Sequence, residues 1–239
     1  MITHSLPDPI QEPEYPPQRN LLAVIDLIVF GVFFTAILFL ISFIRLPLVY
    51  AIPLQGAFNI VIVAFLACWI KFVRKQPFGE FINWFRSFRF PAAYLISLGA
   101  IAAITVLVVA SLLPKTDTPI EKLLSSNAAI SMFVIFGIAV APLFEEIIFR
   151  GFLFKVFLEI GGTGFAIIFT AAVFALSHAL QLAGNWPSVI LIFAVGCVLS
   201  VIRYRSNSII PTLIIHTSYN ATLFGAFVIS AILQKFSPS

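Results

Sequence analysis

The chain has 239 residues, 61% of them hydrophobic and only 10% charged, with a formal net charge of +4. A soluble domain carries roughly 25% charged residues, so a water-soluble fold of this composition would lack the polar surface to cover itself. The chain therefore reads as an integral membrane protein of the all-α class, a polytopic helix bundle, and its few positive charges sit in short loops, where they fix topology and give no nucleic-acid signal.

Residues 1–20, with PDPIQEPEYPPQ, are Pro-rich and polar and predict an extended, poorly ordered tail. The run from Leu21 to Ile44 is too long for a signal-peptide core and lacks a strongly basic start and a small-residue cleavage site, so it is expected to remain as the first span. Further spans are expected at about residues 55–72, 91–113, 128–157, 163–182, 187–202 and 208–231, which makes about seven. An eighth span, or a re-entrant segment around LPLVYAIPLQG, would change the side on which the C-terminus lies but not the order of the later helices. Between the second and third spans, residues 77–90 (PFGEFINWFRSFRF) mix aromatics with Arg86 and Arg89, and predict a helix lying at the interface. The organisation is thus a tail (1–20), N-terminal membrane helices (21–127) and a polar-bearing core (128–231). Cys68 and Cys197 fall in different apolar runs with neither metal nor disulfide spacing, which makes them packing residues. No inverted repeat of the transporter kind is visible.

Alternating the loops places about nine Lys/Arg on the side of the N-terminal tail (Arg19, Lys71, Arg74, Lys75, Arg86, Arg89, Lys155, Arg203, Arg205) and about four opposite (Arg45, Lys115, Lys122, Lys235). The positive-inside rule then predicts a cytoplasmic N-terminus in a plasma or inner membrane.

Polar residues within the spans are costly, at roughly 2.5–3.5 kcal/mol for a central carboxylate on insertion scales. APLFEEIIFRG, residues 141–151, holds two in succession. At about 100° per residue Glu146 and Arg150 share a face and can pair, while Glu145 points elsewhere and is left free. The next helix carries FALSHAL, with Phe174 and His178, and the last carries LIIHTSYNATL, in which His216 and Asn220 share a face. At about 1.5 Å per residue from the expected cytoplasmic helix ends, Glu145 lies about 18 Å deep, His178 about 22 Å and His216 about 12 Å. One carboxylate, two imidazoles and one amide thus reach a similar level. Asp26 is placed near the interface, Glu159 before the GGTG turn is expected to be solvated, Gln181, Asn185 and Trp186 read as interfacial loop residues, and Ser177 is expected to bond back within its helix. There is no GxSxG elbow and no HExxH motif.

The ordered set EExxxR (Glu145, Glu146, Arg150), FxxxH (Phe174, His178) and HxxxN (His216, Asn220) resembles the CAAX-protease and bacteriocin-processing (Abi) family of intramembrane peptidases, over roughly residues 128–225. The resemblance implies proteolysis in the membrane, with Glu145 as general base toward water, His178 holding that water, and His216 and Asn220 stabilising the oxyanion. It also implies a membrane-associated or lipid-modified, CAAX-like substrate. A desolvated carboxylate is a stronger base than one in water, which suits the role. Glu145, His178 and His216 also form a two-histidine, one-carboxylate set of the kind that holds Zn²⁺. With no HExxH spacing to fix a metal, the reading without a cofactor is favoured and zinc stays open. The competing class is a non-proteolytic membrane protein, either an immunity or scaffold factor or a proton-coupled transporter.

Overall fold

A computed structural model of the chain describes residues 17–44, 50–112, 134–179, 181, 182 and 184–236, and every regular element among them is helical. Helix α1 spans Pro17–Ser42. It begins inside the expected tail, because proline is tolerated in a first turn whose N–H groups have no intrahelical partner. The rest of the tail, residues 1–16, lies outside the described residues.

Helix α2 spans Ala51–Trp69 and continues as a π-helical turn, Ile70–Arg74, which Lys75 ends in a left-handed conformation. The second half of LPLVYAIPLQG is therefore the start of α2, and residues 45–49 lie outside the described residues. Helix α3 is a single turn, Phe78–Phe81. This corrects the expected interfacial helix over 77–90. Asn83 adopts φ 58°, which breaks the helix, and Phe81 and Ile82 turn inward to full burial in the main core.

Helix α4 spans Ala92–Ser111. Residues 113–133 lie outside the described residues, and the chain is next described at residue 134. Helix α5, Phe136–His178, runs for 43 residues. At about 1.5 Å per residue that is roughly twice the ~30 Å of a bilayer core, so it must fold back. It does so at Gly161 and Gly162, whose backbones leave the helical region, Gly162 with φ 76°. Only glycine adopts that conformation without steric cost. Helix α6 is Trp186–Ser206 and α7 is Ile210–Phe236. Among the described residues, six helices are long and apolar enough to cross a membrane. With α5 counted as two arms, the described residues hold seven long helical segments, the number of spans expected. Large apolar side chains such as Val32, Phe39, Ile101 and Ile190 stay exposed on the outside, as a lipid-facing surface requires.

Two close approaches set the positions of the polar helices. α4 lies against α7 at Gly99, where a Cβ would collide with the Ile215 carbonyl, and Ser218 Oγ donates to Ile96 O at 2.7 Å. The second arm of α5 lies against α6 at Gly196, where a Cβ would stand 3.1 Å from Ala171. Small residues at such crossings let backbones approach and stand in for the hydrophobic drive that lipid removes.

The helix ends also interlock. Arg74 at the end of α2 donates to Asp26 of α1 (Nε to Oδ2, 2.7 Å) and to Glu159 at the end of the first arm of α5 (2.8 Å), while Trp69 Nε1 donates to Asp26 Oδ1 at 2.8 Å. Asp26 is 1% exposed and Glu159 4%. The expectation for Glu159 is corrected: it is not solvated, because it is half of a buried pairing with Arg74, and Asp26 shares the same arginine. These contacts put the start of α1, the end of α2 and the end of the first α5 arm at one level, as alternate crossing requires.

Candidate active site

The first arm of α5 is not a plain α-helix. It reads as a π-turn (Phe136–Val140), one α-helical turn (Ala141–Glu145) and a longer π-helical stretch (Glu146–Leu153) before α-helix resumes. π-Bulges recur at functional sites because they redirect side chains. Here Glu145 and Glu146 stand at the seam between the two geometries.

Glu146 and Arg150 are both fully buried, and Arg150 Nη1 donates to Glu146 Oε1 at 3.0 Å. The guanidinium is held from other sides too. Nη2 donates to Gly196 O at 3.4 Å, and the cation lies 4.3 Å from the centre of the Phe174 ring. Arg203, at the end of α6, donates from Nε to Arg150 O at 2.9 Å.

His216 of α7 enters this pair from the opposite wall. Its Nδ1 lies 2.8 Å from Glu146 Oε1. A carboxylate bound to an arginine only accepts, so the Nδ1–H donates to it and the ring turns its Nε2 edge the other way. That Nε2 faces Glu145 Oε2 at 3.5 Å. His178, at the end of α5, is set the same way: Nδ1 donates to Phe174 O at 2.8 Å, and Nε2 faces Glu145 Oε1 at 4.0 Å. Both separations are longer than a good direct hydrogen bond, as catalytic contacts without substrate often are. The Glu145 side chain is 24% exposed and that of His178 20%, so this corner of the cluster is reachable while Glu146 is sealed.

Phe174 packs the cluster together. Its ring centre is 4.8 Å from that of His178 and 5.7 Å from that of His216, both edge to face. Ser177 Oγ donates to Phe174 O at 2.7 Å, the back-bond expected of it. Asn220 is turned to one side: its Nδ2 donates to Gly137 O at 2.7 Å, in the π-turn ahead of Glu145. Glu145, His178, His216, Glu146 and Arg150 thus form one contact group, with Asn220 at its margin.

Three partners were not read from the sequence. Arg203 had the look of a basic loop residue, Gly196 contributes only a carbonyl, and Gly137 acts through its backbone. A charged residue close to an apolar helix end, such as Arg203, was the one available signal.

Zinc would need the two Nε2 atoms and Glu145 to close on one point. The donor chemistry is suitable, but as placed the three side chains do not make a metal-holding group among the described residues.

Fold and site together define a polytopic helical membrane protein with a walled polar site suited to activating water. Residues 127–222 match the family model described as type II CAAX prenyl endopeptidase Rce1-like. This stretch is similar to that family, so the resemblance carried by the three motifs stands, and the reaction that description names is endoproteolysis. Searches of curated proteins and of solved structures find no significant match.

Proposed function

We propose that the chain is an intramembrane endopeptidase that hydrolyses a peptide bond in a membrane-associated or lipid-modified, CAAX-like protein, using a water activated by Glu145. The observation that carries this is the pair of imidazole Nε2 atoms, from two helices, facing one carboxylate at 3.5 and 4.0 Å.

Each histidine keeps its proton on Nδ1, so a water beside Glu145 has acceptors for both hydrogens: the carboxylate and His178 Nε2. Glu145 removes one proton as the water oxygen bonds to the scissile carbonyl carbon and the C=O electron pair moves onto oxygen. His216 is a bare acceptor while neutral. Once the abstracted proton passes across 3.5 Å from Glu145 to its Nε2, it is an imidazolium, held by Glu146 on the far side, and its Nε2–H donates to the oxyanion. Asn220 supplies a second donor. Such a donor is typically worth about 2.7–4 kcal/mol of barrier. Collapse of the intermediate breaks the C–N bond, the amine leaves with the transferred proton, and the new acid ionises.

The N-terminus is assigned to the cytoplasmic side of a plasma or inner membrane. The excess of Lys/Arg on that side supports it. The test is a comparison of the termini of membrane peptides in cells with and without the chain. New C-termini that depend on it are expected. An unchanged set of termini would favour the non-proteolytic class.

A further inference from the structure

The π-turn ahead of Glu145 contains a gap in its own hydrogen bonding. Ala141 N–H bonds to Phe136 O, five residues back. The next bond in that register would run from residue 142 to Gly137 O. Residue 142 is a buried proline and has no N–H to give. The buried Gly137 carbonyl is therefore left without that partner, and an unpaired buried carbonyl is costly. Asn220 Nδ2 fills the gap at 2.7 Å from another helix. Gly137 permits the approach, since a Cβ there would run into the ring of Phe224, one turn along α7 from Asn220.

The geometry points to Pro142 as a positioning residue: by withholding an N–H from Gly137 O it captures one hydrogen of the Asn220 amide and so fixes the direction of the other. The amide group is planar and tethered at Cβ, so anchoring one N–H confines the direction of the second. A carbonyl only accepts, so the anchor also settles which end of the carboxamide faces Gly137. An oxyanion donor fixed in advance costs no reorganisation during reaction. Pro142 would thus act on the chemistry from α5 through a side chain of α7. The functional half of this proposal rests on Asn220 being an oxyanion donor, as set out above.

The experiment combines a spectroscopic and a kinetic readout. In protein labelled with ¹⁵N-asparagine and solubilised in detergent, the Asn220 side-chain signal is assigned by its loss in Asn220→Ala. Wild type should show one Asn220 amide proton shifted downfield and slow to exchange, and Pro142→Ala, whose new N–H competes for Gly137 O, should lose both features. Pro142→Ala should lower kcat roughly tenfold with KM within about twofold, while in the Asn220→Ala background it should cost nothing further. Multiplying losses in the double variant would overturn the proposal, because Pro142 would then act independently of Asn220. A wild-type Asn220 signal with both protons free and in fast exchange would overturn it even if no Pro142 variant can be purified. If Asn220→Ala itself turns over like wild type, the oxyanion reading fails, and the kinetic half of the proposal fails with it. Wild type without any cleavage would instead refute the peptidase reading, with the amide signal still deciding whether the tie to Gly137 exists.

Discussion

Arg150 offers the sharpest test of how the cluster is held. Its guanidinium is fully buried, donates to Glu146 at 3.0 Å and to Gly196 O at 3.4 Å, and lies over Phe174 at 4.3 Å. Arg150→Ala leaves the sealed Glu146 carboxylate without its cation. Breaking a buried pair from one side costs about 3–5 kcal/mol. At about 2–4 °C per kcal/mol for a chain of this size, the melting temperature should fall by roughly 6–20 °C. The penalty comes chiefly from the stranded charge, so Glu146→Gln with Arg150→Met, which removes both charges and keeps the volume, should recover much of the loss. Intrinsic fluorescence of Trp69, Trp84 and Trp186 in detergent can follow all three proteins. A wild-type melting temperature for Arg150→Ala, or a double variant melting below it, would refute this account of the pair.

Three further outcomes follow from the same geometry. His216→Ala or Asn220→Ala should lower kcat by roughly 10² to 10³ with KM little changed, and an unchanged kcat would remove that residue from the mechanism. Arg74→Ala should destabilise the bundle by about 3–5 kcal/mol, since Asp26 and Glu159 are left buried without their shared cation; thermal unfolding at the wild-type temperature would show that the interlock of helix ends carries no stability. Purified active protein should hold less than one zinc per site and keep its activity in strong chelators, whereas activity lost on chelation, restored by Zn²⁺ and absent together with metal in His178→Ala and His216→Ala, would move the mechanism to a metal.

The spans were legible because each is an apolar run long enough to cross a bilayer, and the reversal in α5 because GGTG interrupts one. The i, i+4 spacing brought Glu146 to Arg150 even though the helix there is π rather than α. Glu145 and the two histidines could be set at one depth by counting residues. What counting could not supply was the partner across a helix crossing. Nothing near Asp26 or Glu159 in sequence announces Arg74, and nothing near Asn220 announces the Gly137 carbonyl, since these pairings depend on which faces meet. The one-turn α3 was misread because an aromatic and arginine mixture suits an interfacial helix, whereas Asn83 in a left-handed conformation turns Phe81 and Ile82 into the core. The π-geometry around Glu145 had a single sequence cue in Pro142, which an α-helical wheel passes over.

The central claim is that Glu145 takes a proton from the attacking water, and Glu145→Gln tests it most directly. The substitution preserves volume and hydrogen bonding but removes the base. Wild type and variant should be reconstituted in liposomes with a prenylated CAAX peptide and with its unmodified counterpart, and the cleavage products followed by mass spectrometry. The account predicts cleavage by wild type, none by Glu145→Gln, and the same melting temperature and substrate binding for both. Cleavage by Glu145→Gln at the wild-type rate would contradict it.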